Sequence, residues 1–558
     1  MKRNRKLYEP IIPKTKEWPV VLLSQNRKQF IQEVLEESIV RIKQGRNNKN
    51  NLLEEIEATL YREKQRIKRN PWKVDPADEN EFWDGIQNRL SRINNSNGET
   101  ENLKEEILKD IVLRYTNEIT GNFKPSSYRL ARSIITFGFR RLLNASRIKG
   151  ISALWSGNLK LRDKIHIVGE VDQLRSLTRI GTIVMVPTHF SNLDSILVAW
   201  VINELGLPPF IYGAGLNLFN ISIFAYFLNS LGAYKVDRRK KNFLYLETLK
   251  SYSNLAIQKG CHSLFFPGGT RSRSGRIEKI LKLGLLGTAM EAQRSCYEKD
   301  STENAQKIFI VPVVLNYNFV LEAPILINDY LRLAGQERYY KERDKFATSY
   351  NIIKFLIKFF TKGSDISVSI GKGMDLLGNY VDNDGNSLDK HGNIIRERDY
   401  FMTGGKVTAN PQRETEYTRM LSKAIITEYH RINMVFASHI VAFVTFEMLR
   451  KKYPQFDLFN FLRLPEDDLS IDYEEFKNTF NRIRNTIFEL YEKGRIDIAP
   501  HLKESIDIVI KHGLDNVGMY HAKQPVLRNR KGEIVTQDLN KLYYYHNRLE
   551  GYDLEKKI

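Results

Sequence analysis

Apolar and polar positions fall into three textures along this chain. In NRKQFIQEVLEESIVRIKQ, residues Phe30, Ile31, Val34, Leu35 and Ile39 recur at helical spacing and stop before the polar run GRNNKNN. The same spacing predicts a second helix from Leu52 to Ile67, closed by Asn70 and Pro71, and a third from Leu103 to Glu118 after the loop NNSNGETEN. From about Leu130 to Asp375 the pattern changes to short β-rich runs: KIHIVGEV, GTIVMVPTH, PPFIYGAG, SLFFPGG, IFIVPVVLNY and DISVSIGKG. Helical stretches separate most of them, the alternation of an α/β sheet. VDNDGNSLDKHGN reads as turns, and its Asp and Gly spacing is not that of an EF-hand loop. Beyond Thr415 helices are expected over Tyr417–Tyr429, Asn433–Lys451 and Tyr473–Tyr491. The expected class is therefore α/β, a central mixed sheet with flanking helices plus helical N- and C-terminal regions. The expected division is residues 1–130, 131–380 and 381–558, with the sheet in the middle part.

Composition narrows the partners. The 558 residues carry a formal net charge of +20, which favours anionic partners: phosphorylated substrates, an anionic membrane surface or nucleic acid. No helix-turn-helix, zinc-finger spacing or aromatic ribonucleoprotein motif accompanies that charge, so no nucleic-acid partner is expected. The two cysteines, Cys261 and Cys296, make neither a disulfide framework nor a four-thiolate zinc site, and a reducing, cytosolic compartment fits them. The basic N-terminus MKRNRKLYEP leads into no apolar signal region. The two longest apolar runs, Ile221–Tyr234 and Met434–Leu449, fall short of the roughly 20 residues that span a bilayer. Asn229 and His439 interrupt them. No transmembrane helix is expected.

Candidate chemistry concentrates in VPTHFSNLDSILVAW, where His189 and Asp194 stand between two apolar runs. Five positions apart, the pair would lie about 140° apart on one continuous helix and would not meet. A strand ending at His189, with Ser191 or Asn192 capping the helix SILVAWVINEL, brings the two together at a helix N-terminus. There a carboxylate on one ring nitrogen leaves the other as a proton acceptor, an oriented general base. Further on, SLFFPGGTRSRSG places Arg271 and Arg273 two apart on extended chain after a double-glycine turn, the makings of a phosphate clamp. IYGAGLNLFNISIFAYFLNSLGAYKVDRR contributes Gly213 and Gly215 after a strand and ends in Arg238 and Arg239. Cys261 reads as a core thiol, and Pro312 sits in what reads as a core strand.

The ordered segments HFSNLD, GAGLNLF with LGAYKVDRR, FFPGGTRSRSG and VPVVLNY resemble the four blocks of the glycerolipid acyltransferases. Within them the chain is most similar to the glycerol-3-phosphate and dihydroxyacetone-phosphate acyltransferases. The resemblance covers roughly Ile165 to Gly373, with a looser echo in NMVFASHIVAFVTFEML and LYYYHNRLEGY. It implies that His189 deprotonates an acceptor hydroxyl while Asp194 orients it, and that the hydroxyl attacks an acyl-CoA or acyl carrier protein thioester directly, without a cofactor or a metal. It assigns Gly268, Gly269, Thr270, Arg271, Ser272 and Arg273 to the substrate, with Arg271 and Arg273 on the phosphate of glycerol 3-phosphate and Arg238 or Arg239 assisting. Gly213, Gly215 and Asn217 are implied to shape the acceptor side, and Pro312 the acyl or thioester side. One position departs: the usual block carries a glutamate where this chain has Gly268, and Glu278 and Asp237 are the nearby acids available to replace it. The resemblance also places the protein in the cytoplasm, peripherally on the inner face of an anionic membrane, where the apolar segment Asn220–Leu231 either dips into the interface or forms a plain core helix. Two other readings stand beside this one: a 1-acylglycerol-3-phosphate acyltransferase, and a catalytically inactive lipid-binding relative.

Overall fold

A computed structural model describes residues 8–45, 52–72, 74–93, 100–130, 133, 165–216, 232–300, 302, 305–334, 365–465, 469–519 and 521–558. Seven strands build one sheet: β1 (Ile165–Gly169), β2 (Gly181–Pro187), β3 (Ile211–Gly215), β4 (Ala233–Val236), β5 (Ser263–Leu264), β6 (Lys307–Tyr317) and β7 (Ile366–Ile370). Their order is β1-β7-β6-β2-β5-β3-β4. Neighbours run parallel everywhere except at β6–β7, so β1 and β7 oppose the other five and the sheet is mixed. Strands β2, β3, β4, β5 and β6 therefore end on one edge of the sheet. In open α/β sheets that edge is where ligands bind.

The central strands β2 and β6 are near-continuous apolar runs and are buried almost throughout, as strands covered on both faces must be. Six strands coincide with the β-rich runs of the sequence; β4, in GAYKVDRR, does not. AYKV is short, lies at the sheet edge and is only half buried at Lys235 and Val236, so it never builds an apolar run.

Helices Arg27–Gln44 and Thr100–Ile119 pack on helix Phe243–Gln258, which flanks the sheet. The edge-to-face pairs Phe30–Tyr252 and Tyr115–Tyr245 mark the seam, with ring centroids 5.5 and 5.2 Å apart. Helix Glu79–Ile93 lies between the predicted helices. Its Gly85 and its charged residues obscure an apolar stripe of Trp83, Ile86, Leu90 and Ile93, all buried. One hydrophobic core runs from Val20 through the sheet to Leu554, so the helical ends share their interior with the sheet. On the C-terminal side, helices Tyr473–Glu492, Ile506–Asn516 and Leu539–His546 pack around helix Ala437–Lys452, which is buried along nearly its whole length, while helix Pro411–Arg431 packs on helix Leu283–Lys299 and β6. The apolar run Met434–Leu449 is thus core. The other run, Ile221–Tyr234, falls mostly within 217–231, outside the described residues, as does Asn220–Leu231. Among the described residues no helix is long and apolar enough to cross a membrane.

A buried ion-pair network ties the N-terminal helices to the end of β4. Arg239 donates through Nε to Asp237 Oδ1 (2.9 Å) and through Nη2 to Asp237 Oδ2 (2.7 Å). Its Nη1 reaches the Asn70 carbonyl (2.8 Å) and Asp75 Oδ2 (3.0 Å), its Nη2 also reaches Asp75 Oδ1, and the guanidinium lies 3.8 Å over the Trp72 ring. Beside it Lys240, buried, pairs with Glu118. Removing one partner of a buried pair strands the other charge. Arg239→Met is therefore expected to lower the unfolding free energy by about 3–5 kcal/mol. Denaturant titration checks this, and a loss below about 1 kcal/mol, the range of an exposed pair, would contradict it.

Candidate active site

The loop between β2 and helix Asp194–Glu204 brings the two candidate residues together. The His189 Nδ1 lies 2.8 Å from Asp194 Oδ2. The same oxygen accepts the backbone N–H groups of Phe190 (2.6 Å) and Ser191 (2.9 Å), and Oδ1 accepts the hydroxyl of Tyr317 (2.6 Å). The bonds from Phe190, Ser191 and Tyr317 are all ones the Asp194 side chain accepts, the pattern of a carboxylate. Nδ1 therefore carries the ring proton, and Nε2 is left with its lone pair. Asp194 is fully buried, whereas 15% of the His189 side chain remains exposed. The imidazole stacks on Phe266, centroids 4.1 Å apart and planes at 24°, which fixes its rotation.

The helix starts differently from expectation. It begins at Asp194 itself, with Leu193 as N-cap and no side-chain cap bond. Ser191 lies too far before the helix to cap it: its oxygen accepts the Leu193 N–H (3.3 Å) while its hydroxyl donates to Glu322 (3.1 Å), and Glu322 also accepts the Asn192 N–H (2.9 Å). The helix N-terminus is left to the Asp194 charge, which suits the dipole there.

The arginine loop closes over this pair. The Ser272 N–H donates to the His189 carbonyl (2.7 Å), so the loop is stitched to the histidine itself. Gly268, Thr270, Arg271, Ser272 and Arg273 all line one cavity of about 330 Å³, with Glu278 on its wall. Gly269, at φ 77°, makes the turn that leads into it. Arg271 donates to Glu322 (3.3 Å), which aims its guanidinium from the buried side. Arg238, beyond the end of β4, reaches the surface, and partial desolvation and then the like charge of Arg271 hold its guanidinium below the usual range. No carboxylate among the described residues is seen to pair with Arg238. The like charge of Arg271 acting on Arg238 favours an anion between the two loops.

Other expected residues sit elsewhere. Arg239 is not available to a ligand: its five N–H groups are taken by Asp237, Asp75 and Asn70, so the assisting role implied for either arginine can fall only to Arg238. Gly213 pairs with Tyr234 in the sheet, and a Cβ there would lie 3.1 Å from the Tyr234 ring and from Val236. Its lack of a side chain serves strand packing. Gly215 ends β3 on the same sheet edge as His189. Asn217 lies outside the described residues. Pro312 is buried in β6 in register with Val186, and its carbonyl accepts the Gly371 N–H (2.9 Å), a core position. Cys261 is buried, and burial pushes its thiol up to about 12, far from a nucleophile.

Three contributors were not singled out as site residues. Tyr317 closes the quoted segment VPVVLNY, and its hydroxyl, raised well above the usual phenol range by burial and then by Asp194, stays a donor. Glu322 carries no sequence signal. Arg548, in the C-terminal LYYYHNRLEGY, is buried 4.2 Å over the Phe190 ring and donates to the Leu315 carbonyl (2.7 Å) and to Asn316. Burial lowers its guanidinium to about 10. Asn547 beside it holds the Ser274 carbonyl (2.8 Å), so the turn Asn547–Leu549 after helix Leu539–His546 braces both the arginine loop and β6. The described residues hold no cluster of His, Cys, Asp and Glu with metal-binding geometry.

Residues 169–316 match the family model named Acyltransferase. Over 229 residues, 41% of this chain, the sequence is 27% identical to a glycerol-3-phosphate acyltransferase of Pseudomonas aeruginosa (strain UCBPP-PA14). Over 240 residues, 42% of this chain, it is 29% identical to one of Pseudoalteromonas translucida. Over 244 residues, 43% of this chain, it is 31% identical to one of Aeromonas hydrophila. The chain covers about a quarter of the length of these relatives, 24% of the first and 26% of the other two. Residues 169–316 thus match an acyltransferase domain, and this part of the chain is similar to a segment of the glycerol-3-phosphate acyltransferases.

Proposed function

We propose that this protein transfers a fatty acyl group from a thioester to a hydroxyl of glycerol 3-phosphate, with His189 as general base. The observation that carries the reading is the 2.8 Å contact between His189 Nδ1 and a fully buried Asp194 carboxylate, beside a loop rich in arginine. The acceptor hydroxyl gives its proton to Nε2 as its oxygen attacks the thioester carbonyl. The tetrahedral intermediate collapses with cleavage of the C–S bond, and the departing sulfur takes the proton back from the imidazolium. No acyl-enzyme is required, and the buried thiols of Cys261 and Cys296 fit that. Arg271, Arg273 and Arg238 hold the acceptor's phosphate, and Glu322 keeps Arg271 aimed before it arrives.

The acyl donor is acyl-CoA or acyl carrier protein, both anionic partners for a chain of net charge +20. The same charge draws the protein to an anionic membrane face, at about 1 kcal/mol per Lys or Arg near the surface. The product lipid leaves into that bilayer, so we assign the protein to the cytoplasmic side as a peripheral enzyme of phospholipid synthesis.

His189→Ala is expected to cut turnover of palmitoyl-CoA with glycerol 3-phosphate by about 10²–10⁴-fold with the fold intact. Release of free CoA measures it, and turnover within about tenfold of the unaltered protein, roughly 1.4 kcal/mol of barrier, would remove the histidine from this role. Arg271→Ala is expected to raise the KM for glycerol 3-phosphate at least about tenfold while the thioester KM changes little, since only the acceptor loses a phosphate ligand. Equal effects on both KM values in steady-state kinetics would contradict the assignment.

A further inference from the structure

Position 268 carries no side chain, yet the space beside it is filled. A Cβ on Gly268 would lie 3.0 Å from Glu278 Cγ and 3.1 Å from Glu278 Oε1. The backbone at Gly268 is not left-handed, so conformation alone would permit a side chain there. What excludes one is the Glu278 side chain, which reaches back across the arginine loop into that space. Its Oε1 accepts the backbone N–H of His189 (3.2 Å), while its Oε2 is buried without a protein partner. The other nearby acid, Asp237, is held by Arg239 through both oxygens.

We propose that Glu278 is a positioning residue for His189, supplying from across the loop the carboxyl group that a side chain at position 268 would otherwise provide. This rests on the catalytic reading of His189 given above. Glu278 Oε1 holds the histidine's backbone, while Asp194 holds the ring. Together with the Ser272 N–H on the His189 carbonyl, it leaves the residue no freedom to slide along the loop. Burial pushes the Glu278 carboxyl up to about 7; the Asp194 charge adds to that, and Arg548 opposes it. A carboxyl so placed costs stability to keep, since an unmatched buried oxygen is unfavourable. Sites that hold reacting groups are where such a cost is retained.

The space shared by Gly268 and Glu278 makes the test reciprocal. Turnover of palmitoyl-CoA with glycerol 3-phosphate, both KM values and thermal melting are measured for the unaltered protein and four variants. Glu278→Ala is expected to lower kcat by about tenfold to a hundredfold, with both KM values within about threefold, because the base is misplaced rather than the substrate released. Glu278→Gln, which keeps an acceptor oxygen for the His189 N–H, is expected to stay within about threefold of the unaltered kcat. Gly268→Glu alone is expected to lose activity through crowding, and Gly268→Glu combined with Glu278→Ala to regain at least about tenfold over Glu278→Ala. An unaltered protein that turns over no thioester would overturn the catalytic reading and this assignment with it. An active protein in which Glu278→Ala stays within twofold, or in which a folded double variant regains nothing, would overturn the assignment of Glu278 alone.

Discussion

The site depends on one buried carboxylate. Asp194 accepts hydrogen bonds from the His189 ring, two backbone N–H groups of the same loop and the Tyr317 hydroxyl, and no part of it meets water. A carboxylate so enclosed is tolerable only because each donor is in place. In turn it closes the loop on itself, sets the ring's tautomer and joins β2 to the end of β6. Without it the loop from Thr188 to Leu193 would have unmatched amides at the head of a helix, and the imidazole would have no fixed proton.

The fold serves that loop from several directions. Five strands end on one edge and bring the histidine loop, the arginine loop and the end of β4 into one neighbourhood. From the N-terminal side, Asp75 and Trp72 occupy Arg239 and leave its neighbour Arg238 under the like charge of Arg271. From the C-terminal side, Arg548 and Asn547 hold β6 and the arginine loop. Electrostatic preorganisation of this kind places fixed charges before substrate arrives, so that the reaction need not reorganise them.

What could be read from the sequence followed locality. The His189–Asp194 pair was legible because a strand end, a short loop and a helix start are local events, and the apolar runs on either side declare them. The strands β2 and β6 were legible because burial on both faces makes them continuously apolar. Strand β4 was not, because an edge strand carrying Lys235 has no such run. The expected cap by Ser191 failed because the helix begins only at Asp194, so the Ser191 oxygen reaches the Leu193 N–H before it, while its proton goes to Glu322, 131 residues later. The two adjacent arginines of VDRR could not be told apart by sequence; the hold of Asp237, Asn70 and Asp75 on Arg239 distinguishes them, and Asp75 lies 164 residues upstream. For the same reason the sequence left Glu278 and Asp237 as equal candidates beside Gly268, and a folded-back loop was needed to decide between them.

The account stands on His189 being neutral with its proton on Nδ1 and its lone pair on Nε2. Nitrogen-15 NMR of the histidine-labelled protein near pH 7.5 reads this directly. The account predicts a single Nδ1–H tautomer for His189, with a downfield Nδ1 proton that disappears in Asp194→Asn. A His189 resonance showing the Nε2–H tautomer, or fast exchange between the two forms in the unaltered protein, would contradict it.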